Sequence, residues 1–161
     1  MVVIIMGVVG SGKTTVGSLL ARQLGWHFAD ADDFHPSSNV EKIRAGIPLT
    51  DSDREPWLDE LQQAITAWIA RGCNVVLACS ALKRRYREKL QAGPEVRFVH
   101  LKGTATLIAE RLRARHGHFA DEKILQSQLA DLEEPKSALT VDLAPTPAQI
   151  VDIIRNGLGL R

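Results

Sequence analysis

The feature that most constrains this chain is a glycine-rich segment close to its start, residues 7–14 (GVVGSGKT). A run of β-branched and other apolar residues, 2–6, precedes the segment, and a helical pattern over 14–24 follows it and can end at Gly25. Glycines allow backbone N–H groups to turn inward with no Cβ in the way, and the start of a helix adds positive potential. The segment matches G-x-x-x-x-G-K-[ST] at every position, so it predicts a loop that binds the phosphates of a nucleoside triphosphate.

Two residues at the end of this loop carry further chemistry. Lys13 can reach the β- and γ-phosphates as a point charge, and the hydroxyl of Thr14 can be a ligand of Mg²⁺. The loop alone does not distinguish a kinase from a nucleotide-dependent switch. The N-K-x-D and D-x-x-G motifs that a GTPase would carry occur nowhere in the sequence, which favours a kinase that uses ATP and Mg²⁺.

Strand and helix patterns alternate along the rest of the chain. Short segments rich in apolar residues predict further strands at 26–29, 74–79, 96–101 and 139–143. Helical spacing predicts helices at 81–92, 104–115, 121–132 and 147–158. Between the second and third strands we expect a short helix with a capping-box spacing that begins at Ser38, and a longer helix that Asp53 can cap.

Five strands separated by helices predict an α/β fold of three layers, in which helices cover both faces of a five-stranded parallel sheet. No linker or internal repeat interrupts the 161 residues, so we expect a single domain over residues 1–161.

Composition argues against several classes of protein. The 20 basic and 19 acidic side chains leave a net charge of +1, without the positive excess that is typical of nucleic-acid binders. Cys73 and Cys79 fit neither a C-x-x-C redox motif nor a zinc site. The apolar start is too short for a signal peptide, and no apolar run has the length of a membrane span. We therefore expect a cytoplasmic protein with reduced thiols and with no nucleic-acid or membrane partner.

Three aspartates, Asp30, Asp32 and Asp33, follow the second predicted strand. Side chains at the carboxyl end of a parallel strand lie at the ligand crevice of the sheet. One carboxylate can orient the shell of a Mg²⁺ ion, and another can accept the proton of an attacking hydroxyl. We assign the first role to Asp30 and the second to Asp32, with Asp33 as the alternative base. A solvated acidic loop is the other interpretation.

Arg111 and Arg115 are four residues apart and share one face of a predicted helix. Arginines that reach a transferring phosphoryl group can neutralise its charge. We therefore assign both to the nucleotide and Arg115 to catalysis, against the alternative of a solvated helix face. The adjacent His116 and His118 are expected to be polar loop residues, because no third metal ligand lies near them in the sequence.

Several longer blocks are more specific than any single residue. They are 30–36 (DADDFHP), 46–54 (GIPLTDSDR) and 79–84 (CSALKR), with shorter matches at 39, 42, 56–58, 86–87, 118–119, 127–128, 132–133 and 135. Together with the phosphate-binding loop, these blocks resemble the short bacterial P-loop gluconokinases, which are relatives of shikimate kinase and the nucleoside monophosphate kinases. The resemblance extends over most of the chain.

This resemblance implies the ATP-dependent phosphorylation of D-gluconate to 6-phospho-D-gluconate, with Mg²⁺, by a homodimer. It also implies a substrate-binding segment at about residues 30–57 and a lid at about 111–125. The alternatives are another small-molecule P-loop kinase, acting on shikimate or a different sugar acid, and a nucleotide-dependent switch module.

Gluconate is a polyhydroxy carboxylate and needs a fixed cation as well as several hydrogen-bond partners. The predicted substrate-binding residues are Asp30, Asp32, Asp33, His35, Arg54, Ser80, Lys83 and Arg84. The predicted nucleotide-binding residues are Gly7, Gly10, Ser11, Gly12, Lys13, Thr14, Thr15, Arg111 and Arg115. Lys13, Asp32 and Arg115 are the predicted catalytic residues, and Thr14 and Asp30 the predicted metal-site residues. A solvated basic helix face is the alternative for Lys83 and Arg84 and the expectation for Arg85.

Overall fold

The computed structural model describes residues 1–116 and 119–161. Its centre is one parallel sheet of five strands: β1 (Val2–Met6), β2 (His27–Asp30), β3 (Val75–Ala78), β4 (Val96–Lys102) and β5 (Leu139–Asp142). They lie in the order β2-β3-β1-β4-β5. The central strand β1 therefore pairs with β3 on one side and with β4 on the other. Each strand begins and ends within one residue of its predicted bounds.

Helices connect the strands, and a 3₁₀ turn, Ala31–Phe34, follows β2. The helices are α1 (Lys13–Leu24), α2 (Ser37–Arg44), α3 (Asp51–Ala70), α4 (Arg84–Leu90), α5 (Ala105–His116), α6 (Phe119–Asp131) and α7 (Pro147–Leu158). None of the helices in the described part of the chain combines the length and apolar character needed to cross a membrane.

Both faces of β1 are buried, and its alternate side chains enter two separate cores. Val3 and Ile5 pack in the core that α1, α5 and α7 cover, whereas Ile4 and Met6 pack in the core that α3 and α4 cover. This burial explains why the sequence of β1 is a continuous apolar run and not an alternating one. The predicted three-layer α/β fold is confirmed.

The predicted helix caps between β2 and β3 are wrong in detail. Thr50, not Asp53, is the N-cap of α3: its hydroxyl accepts from the N–H of Asp53 at 3.1 Å, and the Asp53 carboxylate accepts from the N–H of Thr50 at 2.9 Å. This reciprocal pair satisfies two backbone donors, so the helix starts three residues earlier than a cap at Asp53 would allow. Likewise, α2 begins after Pro36, and Ser38 lies inside the helix without capping it.

The helix predicted at 81–92 is shorter than expected and begins at Arg84. Ala81 has a φ of 45°, in the left-handed region, and such a residue cannot continue a right-handed helix. The side chain of Arg87 stabilises this turn by donating to the carbonyl of Ala81 at 2.8 Å and to that of Leu82 at 3.0 Å.

The topology brings the predicted functional residues to one edge of the sheet. The glycine-rich loop follows β1, Asp30 ends β2, and Ser80 follows β3. Because β3 lies between β1 and β2, Ala78 pairs in register with both Ile5 and Asp30. The carboxyl ends of these three strands therefore form the floor of the site described next.

Candidate active site

The glycine-rich loop folds back on itself so tightly that side chains are excluded at two positions. A Cβ on Gly7 would lie 2.6 Å from Oγ of Ser11, and a Cβ on Gly10 would lie 2.7 Å from the side chain of Leu112 on α5. Gly10 also has a φ of 79°, which favours glycine. The Oγ of Ser11 is buried and has no hydrogen-bond partner among the described residues. A buried hydroxyl in this position is suited to a polar ligand held inside the loop.

Lys13 lies across the loop that precedes it. Its ammonium group donates to the carbonyl of Val8 at 3.0 Å. Loss of solvent lowers the pKa of Lys13 from its ordinary value, and the nearby negative charge of Asp32 opposes this shift. The two side chains line the same cavity. This arrangement places the predicted phosphate ligand beside the predicted base.

The two predicted metal-site residues are in contact. The hydroxyl of Thr14 donates to Oδ2 of Asp30 at 3.0 Å, while Oδ1 of Asp30 accepts from the N–H of Asp32 at 3.0 Å. The Asp30 carboxylate therefore joins the start of α1 to the turn after β2. Within the described residues, no group of three His, Cys, Asp or Glu side chains could hold a metal by itself. The pair fits a Mg²⁺ site in which the Thr14 oxygen would be a ligand, Asp30 would orient the Thr14 hydroxyl, and phosphate oxygens and water would supply the other ligands.

The aspartates after β2 have different surroundings. The pKa of Asp32 is raised, first by desolvation at the cavity wall and then by the negative charge of Asp30. Asp32 and Asp33 are both exposed, but Asp32 lines the cavity beside Lys13 and Asp33 does not. Its place in the cavity lining favours Asp32 over Asp33 as the candidate base.

The cavity beside Lys13 and Asp32 has a volume of about 140 Å³ and combines polar groups with an apolar wall. We call it the acceptor cavity. Its lining residues are Val9, Lys13, Asp32, His35, Ile43, Ile47, Pro48, Leu49, Arg54, Trp57, Ser80, Ile124, Ser127 and Gln128.

His35 is held as a neutral ring in this cavity. It stacks on Trp57 with ring centroids 4.4 Å apart, and desolvation, followed by the charge of Arg54, lowers its pKa to about 4. The amide nitrogen of Asn39 lies 3.2 Å from Nδ1 of His35. Since an amide nitrogen can only donate, Nδ1 accepts and the ring proton is on Nε2. His35 can therefore donate one hydrogen bond from Nε2.

Arg54 is the second basic side chain of the acceptor cavity, besides Lys13. It is only 7% exposed, and its Nη1 donates to the hydroxyl of Tyr86 at 3.1 Å and to Oδ2 of Asp131 at 3.2 Å. Its Nε and Nη2 donate to no other group in the described part of the chain. A guanidinium whose position is fixed through one nitrogen, with its other donors unused, can form a paired interaction with a carboxylate.

A second cavity, of about 400 Å³, also borders the glycine-rich loop, and we call it the nucleotide cavity. Gly10, Ser11, Gly12 and Thr15 form one wall, and Arg111, Leu112 and Arg115 of α5 form another. Arg111 donates to the carbonyl of Leu143 at 2.9 Å and to that of Ala144 at 3.3 Å. Arg115 is exposed at the cavity edge. Both predicted arginines thus line the expected nucleotide site.

The basic residues of α4 and its N-cap do not line the acceptor cavity. Lys83 and Arg85 both pair with Asp51 on α3, each at 2.9 Å, and the hydroxyl of Tyr86 donates to the same carboxylate. These three groups hold the pKa of Asp51 well below its usual range, the Tyr86 hydrogen bond most strongly. Arg85 was expected to lie on a solvated helix face. It is exposed, but it also forms an ion pair with Asp51 that was not predicted.

Arg84 lies farther from the site. It pairs with Glu88 at 3.0 Å and lines a separate cavity of about 550 Å³, formed with α4 and residues 133–138, which contains none of the predicted catalytic residues. The proposed contacts of Lys83 and Arg84 with the substrate therefore stay predictions without support from this geometry.

Four side chains that shape the site had no predicted role: Asn39, Trp57, Gln128 and Asp131. Asn39, Trp57 and Gln128 lie at positions that resemble the gluconokinases, and this resemblance was the only sequence signal for a role in the site. No sequence signal indicated a role for Asp131, because it is 77 residues from Arg54 in the sequence and contacts it only in the folded chain. Residues 117 and 118, in the predicted lid and in the block at 118–119, lie outside the described residues.

The chain is similar to known kinases in both sequence and structure. A model of the shikimate kinase family matches residues 9–145. A probable gluconokinase from Xenopus tropicalis is 48% identical over 153 residues, covering 85% of this chain and 80% of the relative. The thermoresistant gluconokinase of Escherichia coli K12 is 40% identical over 163 residues, covering 96% of this chain and 93% of the relative. A crystal structure of a gluconokinase from Sinorhizobium meliloti 1021 is 42% identical, with a TM-score of 0.88, covering 98% of this chain and 90% of that chain.

Proposed function

The chain belongs to the gluconokinase family, and we propose that it transfers the γ-phosphoryl group of ATP to the 6-hydroxyl of D-gluconate, forming 6-phospho-D-gluconate. The observation that carries this proposal is the composition of the acceptor cavity, where Lys13, Asp32 and Arg54 line one volume. A phosphate ligand, a base and a fixed cation are the three groups that a kinase for an anionic alcohol needs.

The nucleotide side of the proposal rests on the glycine-rich loop. The loop excludes a Cβ at Gly7 and leaves the buried hydroxyl of Ser11 without a protein partner among the described residues, which supports a phosphate group inside it. Thr14 and Asp30 would hold Mg²⁺ next to these phosphates. When bound, Mg²⁺ neutralises part of the phosphate charge during transfer.

The acceptor side rests on Arg54. Its Nε and Nη2, which bond to none of the described residues, suit the carboxylate of gluconate. The Nε2–H of His35 and the hydroxyl of Ser80 suit the hydroxyl groups of the substrate. Because these polar groups would stay unpaired with a smaller or neutral acceptor, such an acceptor should be rejected strongly.

Asp32 performs the proton transfer in this mechanism. As the oxygen of the 6-hydroxyl forms its bond to the γ-phosphorus, the bond from that phosphorus to the bridging oxygen of ADP breaks, and the hydroxyl proton moves to the Asp32 carboxylate. The raised pKa of Asp32 makes it a better proton acceptor than an ordinary aspartate. Lys13 holds the phosphate oxygens as their charge changes.

Several finer assignments belong to the same proposal. Arg111 and Arg115 contact the ATP phosphates, and residues at about 111–125 act as a lid; the position of both arginines at the nucleotide cavity supports this assignment. A homodimer in the cytoplasm is proposed from the resemblance and the composition alone.

A second candidate is a kinase for shikimate, which the match of residues 9–145 to the shikimate kinase family favours. A panel assay separates the two: kcat/KM is measured for gluconate, shikimate, glucose and sorbitol on one enzyme preparation. We expect gluconate to exceed the others by several orders of magnitude. If shikimate or a neutral sugar outperforms gluconate, the substrate assignment is wrong. A slow ATP hydrolysis that no acceptor stimulates would instead indicate a nucleotide-dependent switch.

A further inference from the structure

One face of α6 contacts both halves of the site. Ile124, Ser127, Gln128 and Asp131 recur at the spacing that places residues on one side of a helix. The first three line the acceptor cavity, and Asp131 pairs with Arg54 in that cavity. We call these four residues the inner face of α6.

Gln128 connects this face to the phosphate-binding loop. Its side-chain oxygen accepts from the backbone N–H of Val9 at 2.7 Å, across 119 residues of sequence. Val9 precedes Gly10, which lines the nucleotide cavity. The orientation of the loop backbone at this point therefore depends on the position of α6.

Asp131 connects the same face to the acceptor cavity. Its carboxylate accepts from Nη1 of Arg54 at 3.2 Å, and the side chains of Arg54 and Asp131 are 9% and 27% exposed, respectively. Low exposure weakens solvent screening and makes the pair sensitive to small displacements. The orientation of the guanidinium thus also depends on the position of α6.

We infer that Gln128 and Asp131 are positioning residues that make the binding of the nucleotide and the binding of the acceptor interdependent. The inference rests on the proposed kinase function and adds to it the residues that link the two sites. Gln128 acts through the backbone of Val9, and Asp131 acts through the guanidinium of Arg54. The two bonds lie on a single helix, so a shift of α6 that improves one site changes the other.

The consequence is a coupling free energy between the sites, and such coupling is reciprocal. If Mg²⁺ and a non-hydrolysable ATP analogue tighten gluconate binding by some factor, gluconate must tighten binding of the analogue by the same factor. We expect this factor to be on the order of tenfold in the unmodified protein.

The test is isothermal titration calorimetry of gluconate with and without the Mg²⁺-bound analogue, and of the analogue with and without gluconate. Gln128→Met removes the acceptor of the Val9 bond at similar volume, and its matched control is Gln126→Met, on the exposed side of α6. Asp131→Asn removes the charge beside Arg54, and its control is the exposed Asp152→Asn. Thermal midpoints of all four variants are measured to confirm folding.

Both inner-face variants should reduce the coupling factor to less than about twofold in both directions, while both controls retain it. Weaker binding of each ligand with an unchanged factor would mean a merely structural role and would overturn the inference, as would an unmodified protein with no coupling. Neither result touches the proposed function, which the panel assay of acceptors tests separately. If Asp131→Asn does not fold, Gln128→Met decides the question alone. Gln128→Met removes one hydrogen bond from the N–H of Val9 and leaves the ion pair of Arg54 with Asp131 in place.

Discussion

The hydroxyl of Thr14 donates a hydrogen bond to Oδ2 of Asp30 at 3.0 Å. The bond joins the residue after Lys13 to the last residue of β2, and it fixes the direction in which the Thr14 hydroxyl points its proton. With the proton directed to Asp30, the oxygen lone pairs of Thr14 are left for a cation. Asp30 therefore has a supporting role at the proposed Mg²⁺ site, and this role is distinct from that of Asp32.

Replacing Asp30 with Asn should raise the Mg²⁺ concentration needed for half-maximal activity by about 10- to 100-fold, because the group that orients Thr14 loses its charge. The measurement is the initial rate against Mg²⁺ concentration at a fixed ATP concentration. Asp33→Asn is the matched control, since Asp33 is exposed and lies outside the acceptor cavity. An unchanged Mg²⁺ requirement in Asp30→Asn would show that the bond to Thr14 has no part in metal binding.

Replacing Asp32 with Asn should lower kcat by on the order of 10²- to 10⁴-fold, because the amide cannot accept the hydroxyl proton. The Kd of gluconate should change far less, since the cavity keeps its shape. Steady-state kinetics and calorimetry on one preparation distinguish these effects. If Asp33→Asn causes the larger loss of kcat, Asp33 is the base and the assignment drawn from the cavity lining is wrong.

Replacing Arg54 with Ala should weaken gluconate binding by about 10- to 100-fold, which is the range for loss of a charge-assisted hydrogen bond. The KM of ATP should change little. Lys83→Ala is the informative comparison, because Lys83 pairs with Asp51 and does not line the acceptor cavity. We expect Lys83→Ala to leave gluconate binding near normal. A loss as large as that in Arg54→Ala would support the original assignment of Lys83 to the substrate.

The neutral state of His35 should make stability depend on pH. Its pKa is about 4 in the folded protein, against an ordinary value of 6.5, so the unfolded chain binds the proton first as the pH falls. The free energy of unfolding should therefore decrease from about pH 6.5 towards pH 4, by roughly 1–3 kcal/mol from this residue. His35→Gln lacks this contribution. Urea unfolding of both proteins between pH 7.5 and 4.5 should show a steeper loss in the unmodified protein, and parallel curves would contradict the burial argument.

Local sequence patterns were sufficient for most of the fold. Short segments rich in apolar residues predicted all five strands, because such a composition is a property of neighbouring residues. The glycine-rich loop was located by the full match of its motif. The start of α3 was predicted wrongly, with Asp53 as its cap. The sequence does contain a signal for the true start, because Thr50 and Asp53 have the spacing of a capping box. The start of α4 had no such signal, because the turn before the helix is held by Arg87, which donates to the carbonyl of Ala81, and by the N–H of Glu133, which donates to the carbonyl of Leu82.

The sequence by itself determined the parallel α/β architecture, the phosphate-binding loop and the acidic turn after β2, since each is encoded within a few consecutive residues. Only the tertiary structure decided which cations are available to a substrate. Lys83 and Arg54 look alike in the sequence, but Asp51 neutralises the first across 32 residues, while Tyr86 and Asp131 orient the second towards the acceptor cavity. The partner of a charged side chain is set by the packing of separate helices, and no local pattern contains that information.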